Sequence, residues 1–412
     1  MKSFKIPKYY KSNLIKEIKE IRKEQDPRRK NFEPSILKLK NINIILPRHF
    51  GFCYGVENAV EITYNIIEKN KNKTIYLLSE MIHNPQVNED LQKRGVKFIR
   101  TTKGEQLIPW SKIEQKDIVI IPAFGTTKEI MSILKNKKIN YIKYDTTCPF
   151  VKKVWKKSEN LSKDNHTIII HGKHYHEETQ ATFSHTKKTP CVIIRDIKEA
   201  QILAKKIKNE ISDEYFLNYF KNKMSSGFNP KKDLTKIGVV NQTTMIAEET
   251  EKISNFLKKT MQEKYKENIE NHFADTRDTL CYATNENQKA IKEALKKNID
   301  VSFVIGGFNS SNTINITKLC EIKSPAFLVK SEKDISEKEI KYYNLKKEKT
   351  EKVKFPDKRK IKNIVITSGA SCPDSLMELL IKKIAKIFKE EIEEQKIYNQ
   401  ITKNYKKDLA IS

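Results

Sequence analysis

Short β-branched runs and amphipathic stretches alternate along most of this chain. NINIILP (41–47) has the pattern of a strand ending at proline, and VENAVEITYNII (56–67) follows with apolar residues three and four apart, the helical period. The same order, apolar run, small or polar turn, amphipathic helix, recurs in KTIYLLSE with MIHNPQVNEDLQKRG, in DIVIIPAFGTT with KEIMSILKNK, and in INYIKYDTTCPFVKKVWKKSENL. It recurs again in TIIIHGKHYHEETQATF, KIGVVNQTTMIAEETEKISNFLKKTM, VSFVIGGFNSSNTINITKLCEI and KNIVITSGASCPDSLMELLIKKIAKI. Strands alternating with helices over this length predict parallel sheets covered by helices, an α/β fold. Two segments break the rhythm. Residues 209–235 are polar and aromatic and read as an insertion, and residues 331–360, rich in Lys and Glu, predict a long exposed connection.

At 412 residues the chain is long enough for two or three domains, each with its own core. The boundaries drawn from the pattern are an N-terminal extension at 1–40, α/β domains at 41–148, 149–277 and 278–395, and a tail at 396–412. Six cysteines without a C-x-x-C pair do not suggest a disulfide framework, so a reducing, cytoplasmic compartment is expected. No apolar run is long enough to span a membrane, and the N-terminus lacks the apolar core of a signal peptide. The formal net charge of +28 comes mostly from Lys dispersed along the whole chain, with little Arg. Dispersed Lys reads as solvated helix faces, so no specific nucleic-acid partner is expected.

In open parallel sheets, ligands gather beyond the carboxyl ends of the strands, where helix N-termini offer free N–H groups. The unusual residues of this sequence sit there. Cys53 follows one strand pattern and Thr146-Thr147-Cys148-Pro149 another; Asn241-Gln242-Thr243-Thr244, the run from Gly306 to Asn312, and Ser368-Gly369-Ala370-Ser371 follow three more, while Cys281 directly precedes a helical pattern. Taken singly, each Ser, Thr or Asn is an ordinary helix cap and each Cys a small core residue. Together they would surround a shared polar centre if the units pack about one axis. Neither the local ligand pairs of structural zinc nor the short four-cysteine spacing of ferredoxins is present. Three thiolates from distant segments could hold a cubane cluster with one iron open, which the residues alone allow but do not establish.

GFCYGVENAV, EMIHNPQVNEDL, DTTCPFVKKVW, HGKHYHEET, NQTT, RDTLCYATNENQ, GGFNSSNT and TSGASCPD occur in this order over residues 41–390. The set resembles the 4-hydroxy-3-methylbut-2-enyl diphosphate reductases, which catalyse the last step of the methylerythritol phosphate route to isoprenoids. The extension and the 209–235 insertion resemble the longer branch of that family, which includes plant and cyanobacterial enzymes. The resemblance implies a trefoil of three α/β domains with mostly parallel sheets around a central iron–sulfur cluster. One 4Fe-4S cluster would be held by Cys53, Cys148 and Cys281, with one iron open to substrate. Cys191 and Cys320 fall in strand and helix patterns and read as core; Cys372 adjoins the Ser371 turn.

The implied reaction removes an allylic hydroxyl with two electrons and two protons, giving isopentenyl and dimethylallyl diphosphates and water. Glu178 matches the family's acid and Thr243 its hydrogen-bonding partner. A helix-start Glu could equally serve only the helix dipole, and Glu177 next to it is taken as the control. His83, His176, Ser310, Ser311, Asn312 and Ser371 match the diphosphate ligands. Phe124 stands where the best-known bacterial branch has a His, and Lys173, His174 or Tyr175 is expected to compensate. No G-x-G-x-x-G follows any strand pattern, so electrons are expected from a separate carrier, ferredoxin or flavodoxin. Two other classes are distinguishable by experiment. An RNA-binding protein on a degenerate reductase scaffold would be colourless and show a steep salt dependence of RNA binding, and a zinc hydrolase would hold zinc and show no redox activity.

Overall fold

The strand Asn43–Leu46 pairs in parallel with Asn363–Ser368, Asn43 opposite Asn363 and Ile45 opposite Val365. A strand from the first part of the chain therefore completes a sheet built mainly from the last third. Across that sheet the order is Ser35–Lys38, Asn43–Leu46, Asn363–Ser368, Val301–Ile305, Ala326–Val329, Glu339–Asn344, Lys349–Lys354. The strands from Asn43–Leu46 to Ala326–Val329 are parallel, and every residue of Val301–Ile305 is buried, as expected of a strand covered on both faces. Two further sheets are parallel throughout. One orders Lys97–Phe98, Ile75–Leu77, Ile118–Ile120, and the other Cys191–Ile194, Thr167–His171, Ile237–Asn241, Phe273–Ala274.

The computed structural model describes residues 5–409 except 29, 187–188, 267 and 275–278, and of residues 403–409 only the backbone. The domain boundary drawn at 277/278 lies outside the described residues, as do the outermost residues of the 1–40 and 396–412 segments. The chain falls into two compact units. Met1–Glu57, His83–Val87 and Tyr282–Ser412 carry the seven-stranded sheet, and Asn58–Ile82 with Asn88–Cys281 carry the other two.

Three segments differ in detail from their sequence patterns, and a fourth, 1–40, forms the helix that its partly helical pattern suggests. INYIKYD forms no strand: Ile142–Tyr144 is a 3₁₀ turn, and only Asp145 bridges to the neighbouring strand, at Ile121. Residues 331–360 hold an antiparallel hairpin, Glu339–Asn344 with Lys349–Lys354. Glu339, Lys341, Lys352 and Lys354 line an exposed face while Ile340 reaches the core, so the charged composition hid a period-2 alternation. The 1–40 segment folds a helix, Asn13–Gln25, capped by Ser12, whose Leu14, Ile15 and Ile18 are fully buried in the core of the large sheet. The 209–235 insertion sends Phe216, Phe220 and Phe228 into the core beside Leu203, Ile207 and Val239. Phe216→Ala is therefore expected to lower stability by about 3–5 kcal/mol, read as a fall in the thermal midpoint. Tyr215→Ala, at a side chain 52% exposed, should hardly move it.

Candidate active site

In the second unit the helix Pro149–Lys163 starts where its sequence demands: Cys148 is the N-cap and Pro149 sits in the first turn, where a missing N–H is harmless. The backbone amides of Phe150 and Val151, in the first turn, lie on the side of the Cys148 sulfur. Burial pushes this thiol up to about 12, the two amides pull against it, and the nearby Cys281 thiol and Glu178 add to the rise. Cys281 is tied to the neighbouring loop by its N–H, which donates to the Thr243 carbonyl at 3.2 Å.

Thr243 also fixes Glu178. Its N–H donates to Oε1 at 2.5 Å and its hydroxyl to Oε2 at 3.1 Å. Burial lifts the Glu178 carboxyl to about 7, the two Thr243 bonds holding it from rising further. His176 caps the helix Glu177–His185, its Nδ1 accepting the Glu178 N–H at 3.2 Å. With Nδ1 an acceptor, the neutral ring carries its proton on Nε2, a donor suited to an anionic oxygen. Phe124 presents its ring edge-on to His176, centroids 6.0 Å apart. Of the expected substitutes for the histidine that Phe124 replaces, His174 and Tyr175 are exposed, while the Lys173 N–H binds the Gln242 side chain at 3.1 Å.

The first unit gathers a second set. Val301–Ile305 ends at Gly306-Gly307, and Ser310 caps the helix Ser311–Glu321, its hydroxyl accepting the Thr313 N–H at 3.3 Å and the Thr313 hydroxyl at 2.9 Å. Ser371 donates to the His83 carbonyl at 3.2 Å and lies 3.5 Å from the Ser310 hydroxyl. The same His83 carbonyl lies where a Cβ on Gly307 would fall, so only glycine fits there. Asn312 is 3% exposed, yet among the described residues neither its amide nitrogen nor its oxygen has a partner. An unpaired amide in the first turn of a helix is a feature that a bound anion would resolve. Cys53 opens the helix Tyr54–Lys69, its N–H donating to Ala370 at 3.2 Å and its carbonyl accepting from Glu57 at 2.9 Å.

Each unit thus collects its own share of the residues singled out in the sequence. Cys148, His176, Glu178, Thr243 and Cys281 belong to one; Cys53, His83, Ser310, Ser311, Asn312 and Ser371 belong to the other. Among the described residues no three His, Cys, Asp or Glu converge on a single point as ligands of one ion do. Cysteines around a cubane bind separate irons and need not converge in that way. Cys191, Cys320 and Cys372 are fully buried, each thiol raised first of all by burial.

The profile of the family described as LytB protein matches residues 44–385, most of the chain. The chain belongs to the LytB family. LytB relatives named 4-hydroxy-3-methylbut-2-enyl diphosphate reductase include one from Prochlorococcus marinus (strain AS9601), 40% identical over 84% of this chain and 86% of its own. Another, from Picosynechococcus sp. (strain ATCC 27264 / PCC 7002 / PR-6), is 38% identical over 91% of this chain and 89% of its own. Two solved reductase structures share the LytB fold. That of the E-1-hydroxy-2-methyl-but-2-enyl-4-diphosphate reductase from Plasmodium falciparum has a TM-score of 0.62 at 22% identity, covering 84% of this chain and 88% of that one. That of (E)-4-hydroxy-3-methyl-but-2-enyl diphosphate reductase, the terminal enzyme of the non-mevalonate pathway, has a TM-score of 0.51 at 21% identity, covering 83% and 99%.

One LytB site feature escaped the sequence reading. Glu177, taken there as the control, is buried, and burial lifts its carboxyl to about 8 against the pull of Ser79 and Arg100, with Glu80 adding to the rise. Two adjacent glutamates at a helix start give no sequence signal of burial, because it depends on residues about a hundred positions away.

Proposed function

We propose that this chain reduces (E)-4-hydroxy-3-methylbut-2-enyl diphosphate to isopentenyl and dimethylallyl diphosphates, the C–O bond of the allylic hydroxyl breaking as two electrons and two protons are taken up and water leaves. The reductase names of its LytB relatives support the reaction. The observation that carries the site is Glu178: a buried carboxyl held at both oxygens by Thr243, near the half-buried Cys148 thiol.

The donor set fits the iron–sulfur dependence of the family. Cys148 is a half-buried sulfur at a helix N-terminus, lying near a second thiol, and amide dipoles aimed at a ligating sulfur stabilise its charge once a metal has displaced the proton. Cys53, Cys148 and Cys281 would hold one 4Fe-4S cluster through three ligands, leaving one iron without a cysteine. Such a cluster, when bound, supplies the electrons and the Lewis acidity that a poor leaving group such as hydroxide needs.

The chain's own residues supply protons and hold the diphosphate. Oε1 of Glu178 is committed to the Thr243 N–H, so the neutral acid carries its proton on Oε2, and the Thr243 hydroxyl donates to that oxygen once the proton has left. His83, His176, Ser310, Ser311, Asn312 and Ser371 would bind the diphosphate, whose charge must be paired as it leaves water. Asn312→Leu separates that role from folding. Because the amide is buried without partners, removing it should leave the thermal midpoint of the substrate-free protein unchanged or raised, while KM rises at least about tenfold.

Electrons would arrive from ferredoxin or flavodoxin, an acidic carrier steered by the lysine-rich surface. The rate of reduction by the carrier is then expected to fall as ionic strength rises toward about 0.15 M. A flat salt dependence removes steering from the account. Among the described residues no helix is long and apolar enough to cross a membrane. Anaerobic purification followed by cluster spectroscopy with and without substrate tests the whole reading. A brown protein whose signal changes on substrate binding is expected, and a colourless protein with no iron overturns it.

A further inference from the structure

The helix Asn13–Gln25 does more than fill the core. Its Arg22 is 3% exposed and among the described residues has no acidic side chain as its hydrogen-bonding partner; the guanidinium donates instead to the backbone. Nη2 binds the Leu46 carbonyl at 3.0 Å, Nη1 binds those of Pro47 and Arg48 at 3.0 Å each, and Nε binds the Ser35 hydroxyl at 3.0 Å. Carbonyls of successive residues point to opposite sides in an extended strand. Here three in a row converge on one planar fork, so Arg22 holds the chain curled where it leaves the strand Asn43–Leu46. Arg48 closes the loop from the other side, its Nη2 donating to the Arg22 carbonyl at 2.6 Å.

Three residues before Arg22, Lys19 grips the far end of the same loop. Its Nζ donates to both oxygens of Asp374, at 2.7 and 2.9 Å, and lies over the Phe50 ring at 5.1 Å. Asp374 in turn packs on Gly51. That residue has φ +81°, and a Cβ there would run into the Asp374 carboxylate and stand 3.0 Å from Lys19 Nζ. The Gly51 N–H donates to the Ser368 hydroxyl at 3.1 Å. Residues 46–51 are thus held on every side immediately before Cys53.

We propose that the helix Asn13–Gln25 is a clamp on the Cys53 loop, with Arg22 and Lys19 as positioning residues for the cluster. The inference rests on Cys53 being a cluster ligand. Outer residues that orient a ligand typically alter metal affinity by about 10–100-fold when changed, which is the scale expected here.

The test uses the full-length, anaerobically loaded protein, with three readouts: the rate of iron loss to a ferrous chelator, the electron paramagnetic resonance spectrum of the reduced cluster, and the thermal midpoint of the cluster-free chain. Arg22→Lys keeps the charge but loses the fork. Lys19→Met removes the half-exposed cation, and Lys19→Arg restores it. Ile15→Val, on the same helix but facing only the core, calibrates how far iron loss follows simple destabilisation.

The clamp predicts iron loss about 10–100-fold faster in Arg22→Lys and Lys19→Met, a shifted spectrum, and rescue by Lys19→Arg, all beyond the Ile15→Val calibration. Should Arg22→Lys fail to fold, the Lys19 pair alone decides. Unchanged iron loss and spectra, or changes that only track the midpoint as in Ile15→Val, overturn the clamp. If the unaltered chain takes up no cluster, the functional reading fails and the clamp falls with it.

Discussion

Glu178→Gln leaves the protein folded and loaded with iron and lowers kcat by about 10²–10⁴-fold, the usual range for removing a positioned proton donor. The amide fills the same space and can still accept the Thr243 N–H, so geometry at the site is kept while the transferable proton is lost. The pH profile of the unaltered enzyme follows from the same group. Glu178 is the donor only while protonated and is held at about 7 chiefly by burial, so the rate should fall as pH rises through about 7. Stability moves with it: a carboxyl whose folded pKa is raised above the ordinary 4.5 contributes its share fully below about 4.5 and loses it as pH rises to about 7. Glu178→Gln should therefore be more stable than the parent at pH 8 while being nearly inactive. Glu177→Gln provides the contrast, since Glu177 is also raised by burial yet faces Ser79 and Arg100. It should show the same alkaline stabilisation with most of the rate retained. Glu178→Gln with more than about a tenth of the parent rate would remove Glu178 from the role of acid.

The second large effect is on iron. Cys53→Ser, Cys148→Ser and Cys281→Ser are each expected to purify with little or no cluster, because a serine hydroxyl is a far poorer soft-metal ligand than a thiolate. Cys191→Ser, Cys320→Ser and Cys372→Ser should keep their iron and instead lose stability, since each puts a hydroxyl into a fully buried site, at about 1–3 kcal/mol. Iron content by colorimetry and thermal midpoint by circular dichroism separate the two groups. The assignment is wrong if any of the first three keeps a full cluster, or if any of the second three loses it while remaining as stable as the parent.

How much was legible in the sequence varied with the range of the interaction that decides each feature. The strands Thr167–His171, Ile237–Asn241 and Val301–Ile305 were plain as apolar runs because parallel strands are buried on both faces. The helix start at Ser310 was plain because a cap is chosen by its own neighbours. INYIKYD misled because Ile and Tyr favour strands, yet only Asp145 finds a bridging partner there. The hairpin 339–354 was hidden by lysines and glutamates on its wet face. The helix Asn13–Gln25 shows in the sequence as a charged, partly helical pattern, whose charged face hides that Leu14, Ile15 and Ile18 are fully buried.

By itself the sequence determined the α/β class, the polar turns at the strand ends and the family, since these reside in local period, local caps and ordered motifs. Through the family resemblance it also picked out Glu178 and Thr243 as a pair. Only the tertiary structure decided that Thr243 binds both oxygens of Glu178, that Asn312 is buried without a partner, and that Arg22 grips the carbonyls leading to Cys53. Those are contacts between residues distant in sequence or consequences of burial, and their energies depend on desolvation and on which groups meet, neither of which a local pattern of residue types encodes.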